Sequence, residues 1–376
     1  MEESREYLGT QLITYLGNKR ALLPLIEKAV LSVKHRMGLK PDAKLTSFDV
    51  FSGSGIVARF LKKHSSLVIA NDLEEYSRVI NSCYLANPDE SLCAEIHAAH
   101  EELCRKLERE PLRDGLISRL YAPKDSHNIG DGERAFYTSR NARYLDTARQ
   151  LIGGLPEQVQ AFLLAPLLSE ASVHANTSGV FKGFYKNKIT GRAQFGGHNR
   201  DALSRITGDI SLPHPVFSRF ASGSLVLKGD ANTVCASAPE VDLAYLDPPY
   251  NQHPYGSNYF MLNLLCAYAE PDRISPVSGI PADWQRSRYN RRREAESALV
   301  ELICAIKARF VLVSFNSEGF IPCERMLSLL RAQGQVSMLE TPYNAFRGSR
   351  NLSKRATHVR EYLFILEKGQ FSGTGR

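Results

Sequence analysis

Apolar positions in the first third of the chain switch between helical and strand spacing. Residues 18–36 carry apolar side chains at the spacing of one helical face, which predicts an amphipathic helix. Residues 44–51 and 67–70 are short apolar runs that predict buried strands, and residues 56–63 between them predict a short helix. This strand–helix–strand order predicts a parallel α/β sheet with right-handed crossovers.

The pattern changes between residues 87 and 222. This stretch begins with a helical segment at residues 93–110 and later becomes rich in glycine, aromatic and basic residues. Beyond it the strand patterns resume, with one clear helical stretch among them at residues 324–331. The predicted later strands are residues 225–228, 241–246, 309–315, 335–341 and 361–366. We therefore predict a doubly wound domain formed by residues 1–86 and 223–376, interrupted by a largely helical insert at residues 87–222.

Composition narrows the classes of protein that this chain can belong to. The formal net charge of +7 points weakly to nucleic acid, because attraction to phosphate adds up over many cations. The seven cysteines contain no CxxC pair, so we expect neither a disulfide framework nor a zinc site, and no metal at all. No signal peptide and no apolar run of about 20 residues is present, so we expect a cytoplasmic protein without a membrane partner.

A glycine turn follows the first predicted strand. The pattern Gly53-x-Gly55-x-x-Ala58 opens a helix, as the close approach of a backbone to a nucleotide-like ligand requires. Asp72 ends the second strand, where a carboxylate can accept hydrogen bonds from a ribose diol. Taken alone, the loop is as compatible with a structural turn as with a ligand site. Asp49 before the turn favours a ligand that carries an amino group and a sulfonium over one that carries pyrophosphate.

A second segment with candidate catalytic residues follows the predicted strand at residues 241–246. Asp247, Pro248, Pro249 and Tyr250 come directly after it, and two prolines in succession fix the backbone and end the strand. Such a corner presents a carboxylate, a backbone carbonyl and an aromatic ring together. Two acceptors that bind the hydrogens of an exocyclic amine stabilise the positive charge that develops when the amine is methylated. The ring can stack on a base that has left the helix.

Together these segments resemble the amino-methyltransferases and, within them, the DNA adenine methylase (Dam-like) family. Their order is similar to the alpha arrangement, in which cofactor motifs come first, a target-recognition insert follows and the catalytic tetrapeptide comes last. Near the N-terminus, Tyr15 to Lys19 resembles the family's aromatic-x-Gly-x-Lys motif. The resemblance implies a Rossmann-like fold with a mostly parallel seven-stranded sheet. It also implies a site-specific DNA adenine-N6 methyltransferase that converts S-adenosyl-L-methionine to S-adenosyl-L-homocysteine.

The same resemblance assigns roles to individual residues. Asp72 would hold the ribose of the cofactor, Asp230 would lie near its adenine, and Asp247 would be the catalytic aspartate. The catalytic residues implied are Asp247, Pro248, Pro249 and Tyr250. The cofactor-binding residues implied are Tyr15, Lys19, Asp49, Phe51, Ser52, Gly53, Ser54, Gly55, Asp72, Leu73, Asp230, Ala231 and Asp247.

Three basic stretches are candidates for binding double-stranded DNA. One lies in the insert, another at residues 285–293 and a third at residues 347–360. Cations of this kind neutralise phosphates, although any one stretch is equally well explained as a solvated surface. We expect the insert to read sequence and the other two to hold the DNA backbone; Asn176, just before the first stretch, either contacts a base or forms a turn. The candidate residues are Lys182, Lys186, Lys188, Arg192, Arg200, Arg291, Arg292, Arg293, Arg347 and Arg350.

Several alternatives remain open at the level of sequence. Enzymes acting on cytosine N4 usually carry serine, and those acting on glutamine carry asparagine, where this chain has Asp247. An RNA adenine substrate is not distinguished from DNA by these residues. A DNA-binding regulator that keeps the fold without chemistry is a different class, and the intact Gly53, Gly55 and Asp72 argue against it. A neighbouring restriction endonuclease is a possible partner, and an orphan methylase is the alternative.

Overall fold

A computed structural model of the chain describes residues 3–197, 200–344 and 358–369. Within these ranges the centre of the fold is a seven-stranded sheet. Its strands are β1 (Leu45–Asp49), β2 (Ser65–Asp72), β3 (Gly223–Lys228), β4 (Val241–Leu246), β5 (Ala308–Asn316), β6 (Gly334–Asn344) and β7 (His358–Lys368). Their order across the sheet is β3-β2-β1-β4-β5-β7-β6. The first five are mutually parallel, and β7 runs antiparallel to both of its neighbours.

Helices connect the strands and form the insert. In chain order they are α1 (Arg5–Gly9), α2 (Leu23–Arg36), α3 (Ile56–Leu61), α4 (Glu75–Tyr84), α5 (Glu90–Arg109), α6 (Leu116–Tyr121), α7 (Ser139–Gly153), α8 (Glu157–Val173), α9 (Leu203–Thr207), α10 (Ala231–Ser237), α11 (Tyr255–Asn258), α12 (Phe260–Ala267), α13 (Ala295–Ala305) and α14 (Cys323–Arg331). Short 3-10 turns occupy Arg20–Leu22, Lys62–His64 and Arg288–Asn290. No helix in the described ranges combines the length and apolar character needed to cross a membrane.

The two faces of the sheet are covered by different helices. Alternate residues of a strand point to opposite faces, so Leu243 and Tyr245 of β4 pack with α2 and α3. Ala244 and Leu246 pack on the other face with α10, α13 and α14. Burial on both sides explains why these strands read as continuous apolar runs.

A second core lies beside the sheet. The helices α5 to α9 fall between α4 and β3, in the stretch predicted to be an insert; α8 packs against α4, and α5 and α7 pack against α8. The helix α12, which comes after the proline corner in sequence, also joins this core through buried apolar residues such as Phe260 and Leu265. The segment that follows the corner therefore contacts both the sheet domain and the inserted helices.

The elements agree closely with those expected from the apolar pattern. The strand expected at residues 241–246 has these bounds as β4, and the other predicted strands differ only at their ends. The helix expected to start at residue 18 begins instead at Leu23, after a 3-10 turn, with Pro24 in its first turn. Proline fits there because the first helical N–H groups have no partner within the helix.

Candidate active site

The carboxyl ends of β1, β2 and β4 form one side of a pocket. Because β1 lies between β2 and β4 in parallel pairing, the residues that follow these strands meet at one edge of the sheet. Eight of the sixteen predicted catalytic and cofactor-binding residues line this pocket. Those that line it are Tyr15, Phe51, Asp72, Leu73, Asp230, Ala231, Asp247 and Pro249. Phe51, at the start of the glycine loop, and the proline corner therefore face the same space.

The glycine loop is held in a conformation that requires glycine. Gly53 and Gly55 have φ of 51° and 75°, in the left-handed region. A Cβ on Gly53 would lie 2.7 Å from the Tyr15 hydroxyl oxygen, so a side chain would also collide with the pocket wall. The Gly53 N–H donates to Asp72 Oδ2 at 2.8 Å, which ties the loop to the end of β2. The loop is thus shaped for the approach of a ligand to bare backbone.

Asp49 lies beneath this loop as a buried acid. Its side chain is 1% exposed, and neither carboxylate oxygen has a hydrogen-bond partner among the described residues. Burial raises the pKa of Asp49 well above its usual value, and the nearby Asp247 and Asp72 add to this. Asp49 does not line the pocket itself. An unpaired acid so close to the pocket favours a ligand that brings positive charge.

Ser52, Ser54 and Lys19 are buried around the pocket and do not line it. The Ser52 hydroxyl donates to the Asn71 carbonyl at 3.0 Å and accepts from the amide of Asn81 at 3.0 Å. These contacts fix the glycine loop against β2 and α4. Ser52 therefore helps to shape the pocket, and its contact with the cofactor stays a prediction.

An ion-pair network joins the N-terminal motif to the proline corner. Lys19 Nζ lies 3.3 Å from Asp247 Oδ1 and 3.5 Å from Glu361 Oε2. The same ammonium is 5.7 Å from the centre of the Tyr250 ring. Burial raises the pKa of Asp247 to about 6, while the charge of Lys19 opposes that rise and Glu361 adds to it. Near neutral pH the catalytic candidate is therefore mainly an ionised acceptor.

The backbone after the corner is fixed by two further contacts. The Phe320 N–H donates to the Tyr250 carbonyl at 3.1 Å, and the Asn290 side-chain amide donates to the Asn251 carbonyl at 2.9 Å. The Tyr250 ring packs edge-on against Phe315 at 5.9 Å between ring centres. Pro248 is buried. The corner is therefore a rigid element, which suits the presentation of fixed acceptors.

Tyr15 belongs to a stack of aromatic rings at the pocket wall. Its ring stacks with those of Tyr255 and Tyr259 at centre-to-centre distances of 5.0 Å each, and those two rings are 6.0 Å apart, so the three centres form a triangle. Its hydroxyl lies 3.4 Å from that of Tyr76. Tyr15 is therefore held by aromatic neighbours where it lines the pocket.

The sequence interpretation missed several residues of the site. Glu361 lies in β7, a strand recognised only by its apolar pattern, and nothing local marks it as a partner for Lys19. Further pocket-lining residues come from the end of β2 and the residues after it, from the turn after β3, from α11 and from the segment before α13. They are Asn71, Glu74, Gly229, Tyr255, Gln285, Ser287 and Asn290. The nearness of the first three to Asp72 or Asp230 in sequence was the one available signal.

The basic stretch in the insert reaches the segment after the proline corner. Lys182 Nζ lies 3.4 Å from His253 Nδ1. Lys186 forms an antiparallel bridge with Ala193, so the residues between them make a hairpin that carries the exposed Lys188 and Arg192. Arg192 pairs with Asp131 at 2.5 Å, an exposed contact that a phosphate can replace at little cost.

The remaining basic residues lie elsewhere. Arg200 is exposed just beyond the hairpin. Arg291, Arg292 and Arg293 are exposed and follow Asn290, which lines the pocket; Arg291 pairs with Glu294 at 3.0 Å. Arg347 and Arg350 lie outside the described residues.

Asn176, which the sequence left open as a base contact or a turn residue, is buried. Its side-chain amide donates to the carbonyls of Ala135 at 2.8 Å and Gln194 at 3.0 Å. Its carbonyl oxygen accepts from the Gly196 N–H at 3.2 Å. These bonds hold the base of the hairpin, which favours a structural role.

Known proteins with similar sequences are methyltransferases. The chain is 31% identical over 368 residues to the type II methyltransferase M.NlaIII of Neisseria lactamica, covering 95% of this chain and 99% of that protein. It is 28% identical over 360 residues to the type II methyltransferase M.CviAII of Paramecium bursaria Chlorella virus 1, covering 94% and 98%. With the type II methyltransferase M.FokI of Planomicrobium okeanokoites it shares 25% identity over 370 residues, covering 94% of this chain and 52% of that protein.

A family model supports the same assignment. The model of the D12 class N6 adenine-specific DNA methyltransferases matches residues 15–210 and 218–274, which include the N-terminal motif, the glycine loop and the proline corner. The mostly parallel seven-stranded sheet is consistent with a methyltransferase fold. The chain therefore belongs to the D12 class N6 adenine-specific DNA methyltransferase family.

Proposed function

We propose that this enzyme transfers a methyl group from S-adenosyl-L-methionine to the N6 amine of an adenine that has left the stack of duplex DNA. The observation that carries the proposal is the shared pocket of Asp72, Asp230 and Asp247. Asp247 of the proline corner lines this pocket together with Asp72 and Asp230, which suit the binding of a nucleoside. A methyl donor and an amine can therefore meet without a large movement of the chain.

The residues around the pocket fit this cofactor. The glycine loop offers bare backbone, since a Cβ on Gly53 would fill the space next to Tyr15. Asp72 would hold the ribose, while Phe51, Leu73 and Ala231 would contact the adenine ring and Asp230 its polar edge. The buried carboxyl group of Asp49, whose oxygens have no described hydrogen-bond partner, favours the amino and sulfonium groups. The bound cofactor would supply an electrophilic methyl group.

The proline corner performs the part of the reaction that belongs to the protein. The Asp247 carboxylate and the Pro248 carbonyl each accept a hydrogen of the adenine amine, which stabilises the positive charge that develops on the nitrogen. Lys19 keeps Asp247 in place through their ion pair at 3.3 Å and favours its ionised form. The Tyr250 ring stacks on the extruded base. No covalent intermediate with the enzyme is required.

DNA is proposed to lie across both parts of the chain. Residues 1–86 and 223–376 would form the catalytic domain, and residues 87–222 would recognise the target. Lys182, the hairpin and the arginines after Asn290 are exposed near the segment that leaves the proline corner. The hairpin would read sequence, and Arg291 to Arg293 would bind phosphates.

A restriction endonuclease is the proposed partner in the cell. This follows from relatives whose names describe type II methyltransferases and modification methylases. Methylation by this enzyme would then protect host DNA from cleavage at the shared recognition sequence.

Expression of the chain in a host without DNA methylation tests the proposal. Single-molecule sequencing of the host DNA should show N6-methyladenine at one short sequence motif. Labelled S-adenosyl-L-methionine should transfer its methyl group in vitro to a duplex containing that motif, but not to RNA of the same sequence. Unmodified host DNA, or transfer to RNA alone, would contradict the proposed substrate.

A further inference from the structure

We propose that Glu74 is a second carboxylate that binds the ribose diol of the cofactor, beside Asp72. The inference rests on the proposed use of S-adenosyl-L-methionine and deepens it. It assigns a ligand contact to a residue that follows the recognised acidic position by two places. Glu74, like Asp72, is one of the residues that line the pocket.

One oxygen of Glu74 is held in place by a neighbouring helix. The side chain is 3% exposed, and its Oε2 accepts a hydrogen bond from the Asn263 amide at 2.5 Å. Asn263 in turn accepts the Tyr76 N–H at 3.1 Å, so α12 fixes the carboxylate against the start of α4. Oε1 accepts no hydrogen bond from a described residue. This oxygen can therefore accept a donor from a ligand in the pocket that Glu74 lines.

Gly256 has no Cβ, and this leaves space next to Glu74 Oε1. A Cβ on Gly256 would lie 3.1 Å from Glu74 Oε1 and 2.5 Å from the carbonyl oxygen of Gln285. Gly256 therefore allows the segment at Gln285 to close over Glu74 at the pocket wall. The space next to Oε1 is bounded by residues that line the pocket, which is where a nucleoside would lie.

Asp72 already accepts two hydrogen bonds from backbone N–H groups of the protein. Its Oδ2 accepts the Gly53 N–H at 2.8 Å and its Oδ1 accepts the Glu74 N–H at 2.9 Å. A ribose diol presents two further donors. A second carboxylate two residues away, with one oxygen free of described partners, can accept one of them while Asp72 accepts the other.

The surroundings of Glu74 give the contact a pH dependence. Burial raises the pKa of Glu74 to about 7, with Asp72 on β2 adding to the rise, while Asn263 on α12 and Lys228 on β3 oppose it. Gln285 and Tyr255 are its uncharged neighbours at the pocket wall. An ionised carboxylate accepts a hydroxyl more strongly than a protonated one does. Cofactor affinity should therefore increase as the pH rises through 7.

Calorimetric binding of S-adenosyl-L-homocysteine to Glu74→Gln tests this assignment. At pH 8 we expect about ten-fold weaker binding than in the wild type, since the variant cannot offer a charged acceptor to the ribose hydroxyl. The effect should be smaller at pH 6, where Glu74 is largely protonated in the wild type. Glu75→Gln is the matched control, because Glu75 pairs with Arg78 at 2.6 Å and Lys228 at 2.9 Å and does not line the pocket.

A ligand without ribose hydroxyls separates a contact from a structural effect. Glu74→Gln and wild type should bind the 2′,3′-dideoxy form of S-adenosyl-L-homocysteine equally. An equal loss of affinity for both ligands would overturn the assignment, as would no loss for either. Wild-type protein that binds neither ligand would overturn the proposed cofactor together with this inference. Binding by the wild type with an unchanged Glu74→Gln would overturn the Glu74 assignment alone.

Discussion

At the scale of single residues, the site contains several buried acidic side chains close together. Their burial makes the folded chain less stable when they are ionised. Burial raises the pKa of Asp49 well above normal, and raises that of Asp72 and Asp247 to about 6 and that of Glu74 to about 7. The folded chain therefore holds protons on these groups more tightly than the unfolded chain does. Their destabilising effect is greatest above pH 7 and is relieved as the pH falls through these values.

Replacement of Asp49 by asparagine tests this argument. Asp49→Asn should raise the melting temperature at pH 8 by about 2 °C or more, since burial opposes the ionised form of Asp49 and asparagine removes that cost. The difference should shrink as the pH is lowered, because wild-type Asp49 then becomes protonated. The same change should weaken binding of S-adenosyl-L-homocysteine. Differential scanning fluorimetry across pH 5 to 8 and calorimetry measure the two effects.

Asp242→Asn is the matched control for this experiment. Asp242 Oδ2 accepts hydrogen bonds from the Thr46 N–H at 2.7 Å and from the Thr46 hydroxyl at 2.8 Å. This aspartate has satisfied partners, so its replacement should lower the melting temperature. A lower melting temperature for Asp49→Asn as well would contradict the view that Asp49 is kept for its ligand.

At the scale of elements, the apolar pattern was sufficient to place the strands but not the contacts between distant segments. β4 had its expected bounds because five of its six residues are apolar or aromatic and Asp242 is the one acid among them. The ion pair of Lys19 with Glu361 joins a loop near the N-terminus to the last strand, and neither local spacing nor composition encodes it. Tyr255 and Tyr259 likewise reach Tyr15 only through the packing of α11 and α12.

The basic element after Asn290 gives a prediction for DNA binding. Replacing Arg291, Arg292 and Arg293 together by alanine should weaken binding to duplex DNA. The slope of log affinity against log salt should fall by about 0.9 for each phosphate that the variant no longer neutralises. Fluorescence anisotropy at several salt concentrations measures this slope.

An equal change of charge on α5 is the control for this triple variant. Arg105, Lys106 and Arg109 lie on the insert's first helix, and none of them lines the pocket. Their replacement by alanine should leave the slope nearly unchanged. Equal slopes for the two triple variants would remove residues 291–293 from the proposed interface.

At the scale of the whole molecule, the parallel order of β2, β1 and β4 is what makes a site from distant motifs. The sequence predicted a parallel sheet with each motif directly after a strand, and the carboxyl ends of such strands share one edge of the sheet. It could not predict Glu74, whose role depends on Asn263 of α12 and on the missing side chain of Gly256. Motifs that follow strands were therefore recognisable, and residues brought in by packing were not.

Methyl transfer by Asp247→Ala tests the central claim most directly. With labelled S-adenosyl-L-methionine and duplex DNA, the rate should fall by about 100-fold or more, because the variant lacks a charged acceptor for the adenine amine. Affinity for DNA should stay close to that of the wild type, since the basic stretches are untouched. A variant that methylates adenine at the wild-type rate would contradict the assignment of the proline corner as the catalytic element.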